Sequence, residues 1–224
     1  MAQLKPLLEG LVFPEGPRWH DGKLWFSDMH AHKVRTVDMT GHAEDVVEVA
    51  AWPSGLGWLA DGRLLIVSMT DRKILRLESG QLKTHADISK LASFHCNDMV
   101  VDGKGRAYVG NFGFDLLAGG AQKQAELVLV NPDGSARIVA DKLDFPNGSV
   151  VTADGKTLIV GESLGHRLTA FHIDDDGTLV NRSVWADLAD AVPDGIALDA
   201  ENAIWVASPL SHELLRVKQG GEIA

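Results

Sequence analysis

The chain has 224 residues, of which 45% are hydrophobic and 23% are charged, a composition typical of globular proteins and not of disordered ones. Its 21 basic and 31 acidic residues give a formal net charge of −10. This charge argues against a nucleic-acid partner, because proteins that bind phosphate backbones usually carry a basic surface. The length favours one domain, residues 1–224, and the charge favours a cation or a neutral small molecule as ligand.

The sequence also predicts a cytoplasmic protein with no membrane partner. No apolar run reaches the ~18–20 residues that a membrane span needs. Near the N-terminus, residues 7–13 are interrupted by Glu9 and Gly10, which is unlike a secretory signal. The single cysteine, Cys96, cannot form an internal disulfide, as is usual in a reducing compartment. The sequence leaves the oligomeric state open.

Five similar segments repeat along the chain. Each begins with a short junction, and the repeats start near residues 14, 53, 96, 146 and 193. The second residue of the junction recurs at positions 15, 54, 97, 147 and 194, at spacings of 39, 43, 50 and 47 residues. Periods of about 40–50 residues are typical of β-propeller blades or of helical arrays.

The pattern inside each repeat favours the propeller. After the junction, a short apolar segment leads to a turn, which is Asp-Gly in the first four repeats, and then to a compact apolar run of strand length. A third segment alternates apolar and polar residues, and a fourth, more polar segment follows in the first four repeats. We therefore predict an all-β propeller of four-stranded antiparallel blades. The one candidate helix, residues 116–124, contains Gly119 and Gly120, so an irregular loop fits it equally well.

The junctions carry a ring of oxygen-bearing side chains. In a propeller the same repeat position of every blade reaches one end of a common channel, so these residues should converge. They are Glu15, Ser54, Asn97, Asn147 and Asp194. Oxygen ligands with two negative charges suit a single divalent cation, Ca²⁺ best, with Mg²⁺, Mn²⁺ or Zn²⁺ as alternatives. The competing interpretation is that these residues only form turns, although Glu is a poor turn residue.

A second set of polar residues ends the second strand of each repeat and should face the same end of the channel. We expect this set to surround the cation or to form a collar around a substrate. Exposed turn positions are the alternative for each member. The set consists of Asp28, Ser68, Asn111, Glu162 and Ser208.

Several motifs resemble the gluconolactonase and regucalcin family of six-bladed propeller lactonases. They are Pro14-Glu15-Gly16-Pro17-Arg18-Trp19, Leu24-Trp25-Phe26-Ser27-Asp28, Asn97-Asp98, Pro146-Asn147-Gly148 and Pro193-Asp194-Gly195-Ile196-Ala197-Leu198-Asp199. The resemblance implies a divalent metal held by Glu15, Asn147 and Asp194, with Asn97 helping to bind metal or substrate. It also nominates Asp194 as the catalytic general base, and the alternative is that Asp194 only orients a metal-bound water.

The resemblance further implies substrate contacts at His95, Asn97, Asn111 and Asp115, under a lid formed by residues 113–124. Here the sequence departs from the family, because His95 stands where regucalcin-type members carry an arginine. The predicted function is metal-dependent hydrolysis of a sugar lactone or a related ester. An organophosphate hydrolase of the same propeller type is one alternative, and a non-catalytic calcium-binding propeller is another. No Gly-x-Ser-x-Gly motif occurs, so the sequence does not support an acyl-enzyme route.

The strand count raises a question of closure, because the fifth repeat has only three strands before residue 224. One expectation is a six-bladed propeller with a truncated C-terminal part, in which residues 4–13 form a strand that pairs with the last blade. The alternative is a five-bladed ring in which residues 4–13 supply the missing outer strand of the fifth blade, pairing with residues 213–218.

Overall fold

The computed structural model describes residues 5–224, and it contains five β-sheets arranged as propeller blades. Within each sheet the strands are antiparallel and follow one another in chain order. The first strands of successive blades contact each other, so they surround a common channel, as predicted. The chain therefore forms an all-β propeller.

The strands of each blade follow the predicted repeats. The first blade contains β1 (Pro14–His20), β2 (Lys23–Asp28), β3 (Lys33–Val37) and β4 (Ala43–Glu48), and the second contains β5 (Pro53–Trp58), β6 (Leu64–Ser68), β7 (Lys73–Glu78) and β8 (Gln81–Asp87). The third contains β9 (Cys96–Val101), β10 (Ala107–Asn111), β11 (Ala125–Val130) and β12 (Ala136–Leu143), and the fourth contains β13 (Pro146–Val151), β14 (Thr157–Glu162), β15 (Arg167–Ile173) and β16 (Leu179–Asp187). The fifth contains β17 (Ile196–Leu198), β18 (Ile204–Ser208) and β19 (Glu213–Val217), and an isolated bridge between Val217 and Ile223 extends it.

The hydrophobic core lies between neighbouring blades. Four buried clusters join blades 1 and 2, 2 and 3, 3 and 4, and 4 and 5. Among residues 5–224, no such cluster joins blade 5 to blade 1. Leu214 and Trp205 of blade 5 are correspondingly 65% and 38% exposed. The ring of blades is therefore open at one position, between blade 5 and blade 1.

Junction glycines show how closely the inner strands approach. A Cβ atom on Gly55 would lie 2.3 Å from the backbone nitrogen of Met99 in blade 3. A Cβ atom on Gly148 would lie 2.5 Å from the backbone carbonyl oxygen of Asp194 in blade 5. Only a residue without a side chain fits there. At the equivalent Gly195, a Cβ atom would have nothing within 4 Å. The glycine of blade 5 therefore faces the open position.

The predicted strand at residues 4–13 is wrong over the part that the structure describes, and Leu4 lies outside the described residues. Residues 5–13 form no strand, because Pro6 cannot donate a ladder hydrogen bond and Gly10 adopts a φ of +78°. They do not extend the fifth blade, whose last strand instead bridges to Ile223. This segment lies along blade 1, where the amides of Val12 and Phe13 donate to Asp28 Oδ1 at 3.0 and 2.9 Å.

The candidate helix at residues 116–124 is an insertion between β10 and β11, and it forms turns and a loop in place of a helix. Gly119 has a φ of +66°, which is outside the helical region, and the Gly120 amide instead bonds to the Asp115 carbonyl at 2.7 Å. None of the helical turns in residues 5–224 has the length and apolar character of a membrane-spanning helix.

Candidate metal centre and substrate cavity

Four of the five ring residues meet at the floor of one cavity. Glu15, Asn97, Asn147 and Asp194 all line a space of about 260 Å³ at the end of the channel. They converge because each lies at, or just before, the start of the first strand of its blade. The fifth, Ser54, does not line this cavity, but its hydroxyl is buried and has no hydrogen-bond partner within residues 5–224.

The two carboxylates of the floor repel each other in a poorly solvated place. Burial, the charge of Asp194 and the charge of Asp98 raise the pKa of Glu15 to about 7. Burial also raises the pKa of Asp194, although the side chain of Asn147 opposes this shift. Arg18 lowers the pKa of Glu15 only slightly, because the Arg18 guanidinium pairs with the Asp98 carboxylate at 2.8 Å. A half-buried pair of carboxylates without a cationic side chain bound to it is the electrostatic setting that a cation stabilises.

The donor set matches a hard cation. Among residues 5–224 there is no cluster of three or more His, Cys, Asp or Glu side chains that could hold a metal ion. The floor instead combines two carboxylates with two carboxamides. Such oxygen ligands, completed by water, are what Ca²⁺ and Mg²⁺ take in proteins, whereas Zn²⁺ favours thiolate and imidazole.

Blades 4 and 5 are tied together beside the floor. Asn147 Nδ2 donates to Ser163 Oγ at 3.2 Å, and Ser163 Oγ donates to the Pro193 carbonyl at 2.7 Å. The Gly148 amide donates to the Asp194 carbonyl at 3.0 Å. These bonds fix the carboxamide of Asn147 relative to the backbone that carries Asp194.

The walls of the cavity are mostly apolar, and the sequence analysis did not predict them. They come from two repeat positions: two residues before the ring residue, and the residue directly after the second strand. The first position supplies Phe13, Trp52 and Phe145, and the second supplies Met29, Met69 and Phe112. His30 and two residues of the insertion, Leu116 and Leu117, complete the lining. We call the first six residues the apolar wall.

Two residues of the apolar wall have an unusual backbone. Trp52 and Phe145 have φ values of +62° and +63°, in the left-handed region that bulky residues rarely occupy. Each directly precedes the proline that begins the next blade. Such conformations cost free energy and persist where the surrounding structure holds them, often at functional sites.

A second cavity, of about 200 Å³, reaches the floor from the open position of the propeller. Glu15 and Asn147 line it as well as the first cavity. Its other walls include Arg18 and Asp98 from the channel, and Trp205 and Leu214 from blade 5. The floor is thus bordered by cavities on two sides.

The comparisons with known proteins agree with this fold. A family model described as "SMP-30/Gluconolactonase/LRE-like region" matches residues 13–224. The chain belongs to this family. It is 28% identical to regucalcin of Gallus gallus over 200 residues, which make up 86% of this chain and 67% of that protein. It is 27% identical to regucalcin of Xenopus laevis over 210 residues, which make up 91% of this chain and 70% of that one.

Solved structures give the same result. A gluconolactonase from Xanthomonas campestris superposes with a TM-score of 0.79 at 25% identity, covering 97% of this chain and 76% of that one. A calcium-binding protein, regucalcin of Agrobacterium tumefaciens, superposes with a TM-score of 0.81 at 20% identity, covering 96% of this chain and 73% of that one. The first likeness supports the family, and the second supports the fold. The resemblance that the motifs predicted is confirmed.

Of the four substrate contacts predicted from the family resemblance, only Asn97 lines the cavity. Asn111 is fully buried and engaged: its Oδ1 accepts from the Gly113 amide at 2.9 Å, and its Nδ2 donates to the Glu126 carbonyl at 3.0 Å. This is the geometry of a structural residue and not of a substrate contact. His95 lies outside the lining, with its ring 6.3 Å from that of Phe112, and burial lowers its pKa. Asp115 also lies outside the lining, and its Oδ1 accepts from the Ala118 amide at 3.0 Å.

The second polar set does not line the cavity, so it does not form the predicted collar. Its members Asp28, Ser68, Asn111, Glu162 and Ser208 are all buried. Four of them bind the backbone that enters their own blade: Asp28 accepts from Val12 and Phe13, Asn111 from Phe94, Glu162 from Asp144, and Ser208 from Val192. These residues clamp the entry segments, and those segments carry the apolar wall and the floor. Their effect on the site is therefore indirect.

Proposed function

We propose that this chain is a metal-dependent hydrolase that opens a lactone or a related ester at the floor of the cavity. The observation that carries this proposal is the convergence of Glu15, Asn97, Asn147 and Asp194, with two half-buried carboxylates that repel each other. Membership of the SMP-30/gluconolactonase family and likeness to the Xanthomonas gluconolactonase support it.

Glu15, Asn147 and Asp194, with Asn97, would hold one divalent cation, for which we propose Ca²⁺. The oxygen-only donor set supports this choice, as does the solved regucalcin that is described as calcium-binding. When bound, such a cation acts as a Lewis acid that polarises a carbonyl group.

The residues of the chain supply the rest of the chemistry. We propose that the carboxylate of Asp194 orients a water molecule and accepts a proton from it, because Asp194 lines the cavity together with the other residues of the floor. The carboxamide of Asn97 can donate to a substrate oxygen, since it lines the same cavity. The apolar wall limits the entry of bulk water, which strengthens polar interactions at the floor.

The test is a hydrolysis screen over aldonolactones, aryl esters and a phosphotriester, with and without a chelator. We expect lactone or ester hydrolysis that the chelator abolishes and one added metal restores. Asp194→Asn should abolish turnover, with calcium occupancy measured separately by titration calorimetry. Inactivity across the panel together with tight Ca²⁺ binding would indicate a non-catalytic propeller. Hydrolysis of the phosphotriester alone would indicate an organophosphate hydrolase.

We propose a propeller of the six-bladed type, because the open position beside Gly195 and the absence of a blade 5 to blade 1 core within residues 5–224 leave room for another blade. We propose a small-molecule partner and no nucleic acid, on the net charge of −10. We propose a cytoplasmic location, on the single and buried Cys96.

A further inference from the structure

We propose that the cavity selects a lactone or ester with an alkyl or aryl body, in preference to a polyhydroxylated sugar lactone. This inference rests on the proposed function and names its substrate class. The sequence alone points to a sugar lactone. The preference for an apolar substrate is argued from the residues that surround the floor and not from the floor itself.

Aromatic side chains line the cavity in two arcs. On one side the rings of Phe13 and His30 are 4.9 Å apart, and those of His30 and Trp52 are 5.1 Å apart. On the other side Phe112 stacks on Phe145 at 4.7 Å, with 22° between the ring planes. Each arc offers ring faces and edges, which bind apolar groups by contact area and quadrupole interactions.

Groups that could bind hydroxyls are scarce above the floor. Of the side chains that line the cavity outside the floor, His30 alone carries a titratable group, and the others are aliphatic, thioether or aromatic. Two polar residues expected to bind hydroxyls, Asn111 and Asp115, lie outside the lining and bind local backbone amides. A sugar lactone would bring several hydroxyls into this space, and hydroxyls that lose water without gaining partners oppose binding.

The mouth of the cavity also exposes apolar surface. Phe13 is 42% exposed, Leu116 is 45% exposed and Leu117 is 67% exposed. Clustered exposed apolar side chains at a cavity rim commonly mark a ligand site. The left-handed backbone at Trp52 and Phe145 adds an independent reason, because the fold holds two bulky rings in the cavity in a conformation that such residues avoid.

Three δ-lactones test the inference, since they share a six-membered ring and differ in what the ring carries. They are unsubstituted δ-valerolactone, δ-decalactone with a pentyl chain, and D-glucono-1,5-lactone. We expect kcat/KM to be highest for δ-decalactone, rising about fourfold for each methylene that reaches the apolar wall, and lowest for gluconolactone. A higher kcat/KM for gluconolactone than for δ-decalactone would overturn the inference and leave the proposed function standing.

A binding measurement separates failure of the inference from failure of the proposed function. Calorimetric titration with Ca²⁺ present would use two lactams that resist hydrolysis, piperidin-2-one and its 6-pentyl derivative. We expect tighter binding of the pentyl lactam, and Leu117→Asn should reduce that preference severalfold. The matched control is Leu210→Asn, because Leu210 is 76% exposed and does not line the cavity. Preference for the pentyl lactam without any hydrolysis would support the apolar site and reject the hydrolase, whereas equal binding of both lactams would reject the apolar site.

Discussion

Glu162 is charged although its side chain is fully buried, and its partners explain why. Burial opposes ionisation, but hydrogen bonds from Arg167, Thr169 and the Asp144 amide outweigh it and lower the pKa of this carboxyl. Arg167 Nη2 lies 2.8 Å from Oε2, and the Asp144 amide lies 2.7 Å from the same oxygen. Glu162 thereby anchors the segment that leads into β13, where Asn147 lies.

We expect Glu162→Gln to destabilise the fold by about 1–3 kcal/mol, because a neutral amide cannot accept all of these bonds and leaves buried donors unpaired. Urea unfolding at pH 7 measures this loss. Glu201→Gln is the matched control: Glu201 also pairs with an arginine, Arg216, but it is 80% exposed, so its replacement should change stability by less than about 0.5 kcal/mol. Equal losses in the two variants would contradict the anchoring role of Glu162.

Comparison of the wild type with Glu162→Gln also predicts how the stability contribution of Glu162 depends on pH. Since the folded state lowers the pKa of Glu162, its contribution is complete above the pKa of the unfolded chain and disappears as pH falls through the folded value. The stability difference between the wild type and Glu162→Gln should therefore be largest near neutral pH and shrink in acid. A difference that grows on acidification would show that the sign of the shift is wrong.

At the scale of elements, the junction glycines set the distance between inner strands. Gly148→Ala would place a Cβ atom 2.5 Å from both the backbone carbonyl oxygen of Asp194 and the backbone nitrogen of Ile196, so blades 4 and 5 must separate. We expect a loss of about 1–3 kcal/mol in the free energy of unfolding. Gly195→Ala, at the equivalent position of blade 5, meets no atom within 4 Å and should be neutral within about 0.5 kcal/mol. Thermal unfolding of both variants makes the comparison, and a neutral Gly148→Ala would refute it.

Ser163 positions Asn147 without belonging to the floor. Ser163→Ala removes the acceptor of the Asn147 Nδ2 bond, and we expect the affinity of the proposed calcium site to fall about tenfold. Ser163→Thr keeps a hydroxyl and should retain most of the affinity, and the exposed Ser135→Ala is the control for a serine loss. Calorimetric titration with Ca²⁺ measures binding without turnover. Unchanged affinity in Ser163→Ala would remove this positioning role.

The repeat register explains how much of the site the sequence could predict. Equivalent positions converge in a propeller, so the spacing alone predicts the meeting of Glu15, Asn97, Asn147 and Asp194. The spacing also predicts Ser54, which does not line the cavity. Phe13, Trp52 and Phe145 lie two residues before ring positions, and alternate residues of an extended chain share a face, so the sequence contained this signal too.

Other features depend on which local groups satisfy the hydrogen bonds of a polar side chain. The spacing of residues does not reveal these partners. A carboxamide such as that of Asn111 resembles a ligand-binding group in the sequence, but in the fold it satisfies backbone amides. The segment at residues 5–13 contains enough apolar residues to suggest a strand. Its path is instead decided by Gly10 and by the bond from Phe13 to Asp28.

At the scale of the whole molecule, the blades differ in how many packed neighbours they have. Within the described residues, blades 2, 3 and 4 pack on both faces, whereas blade 5 packs on blade 4 alone. Local opening should therefore cost less free energy in blade 5. We expect amide hydrogens of β18 to exchange faster than those of β10 when native-state hydrogen exchange is followed by mass spectrometry. Equal protection of the two strands would contradict an open position beside blade 5.

The two cavities that meet at Glu15 and Asn147 give the centre two separate routes. An apolar guest that enters from the mouth fills the wider cavity and shuts out solvent from that side. The narrower cavity is bordered by Arg18 and Asp98 of the channel and extends from the floor toward Trp205 and Leu214. Under the proposed function, this second cavity gives water and protons a path to the floor along the channel while the organic molecule occupies the wider cavity. In such an arrangement, solvent and substrate reach the floor by different routes.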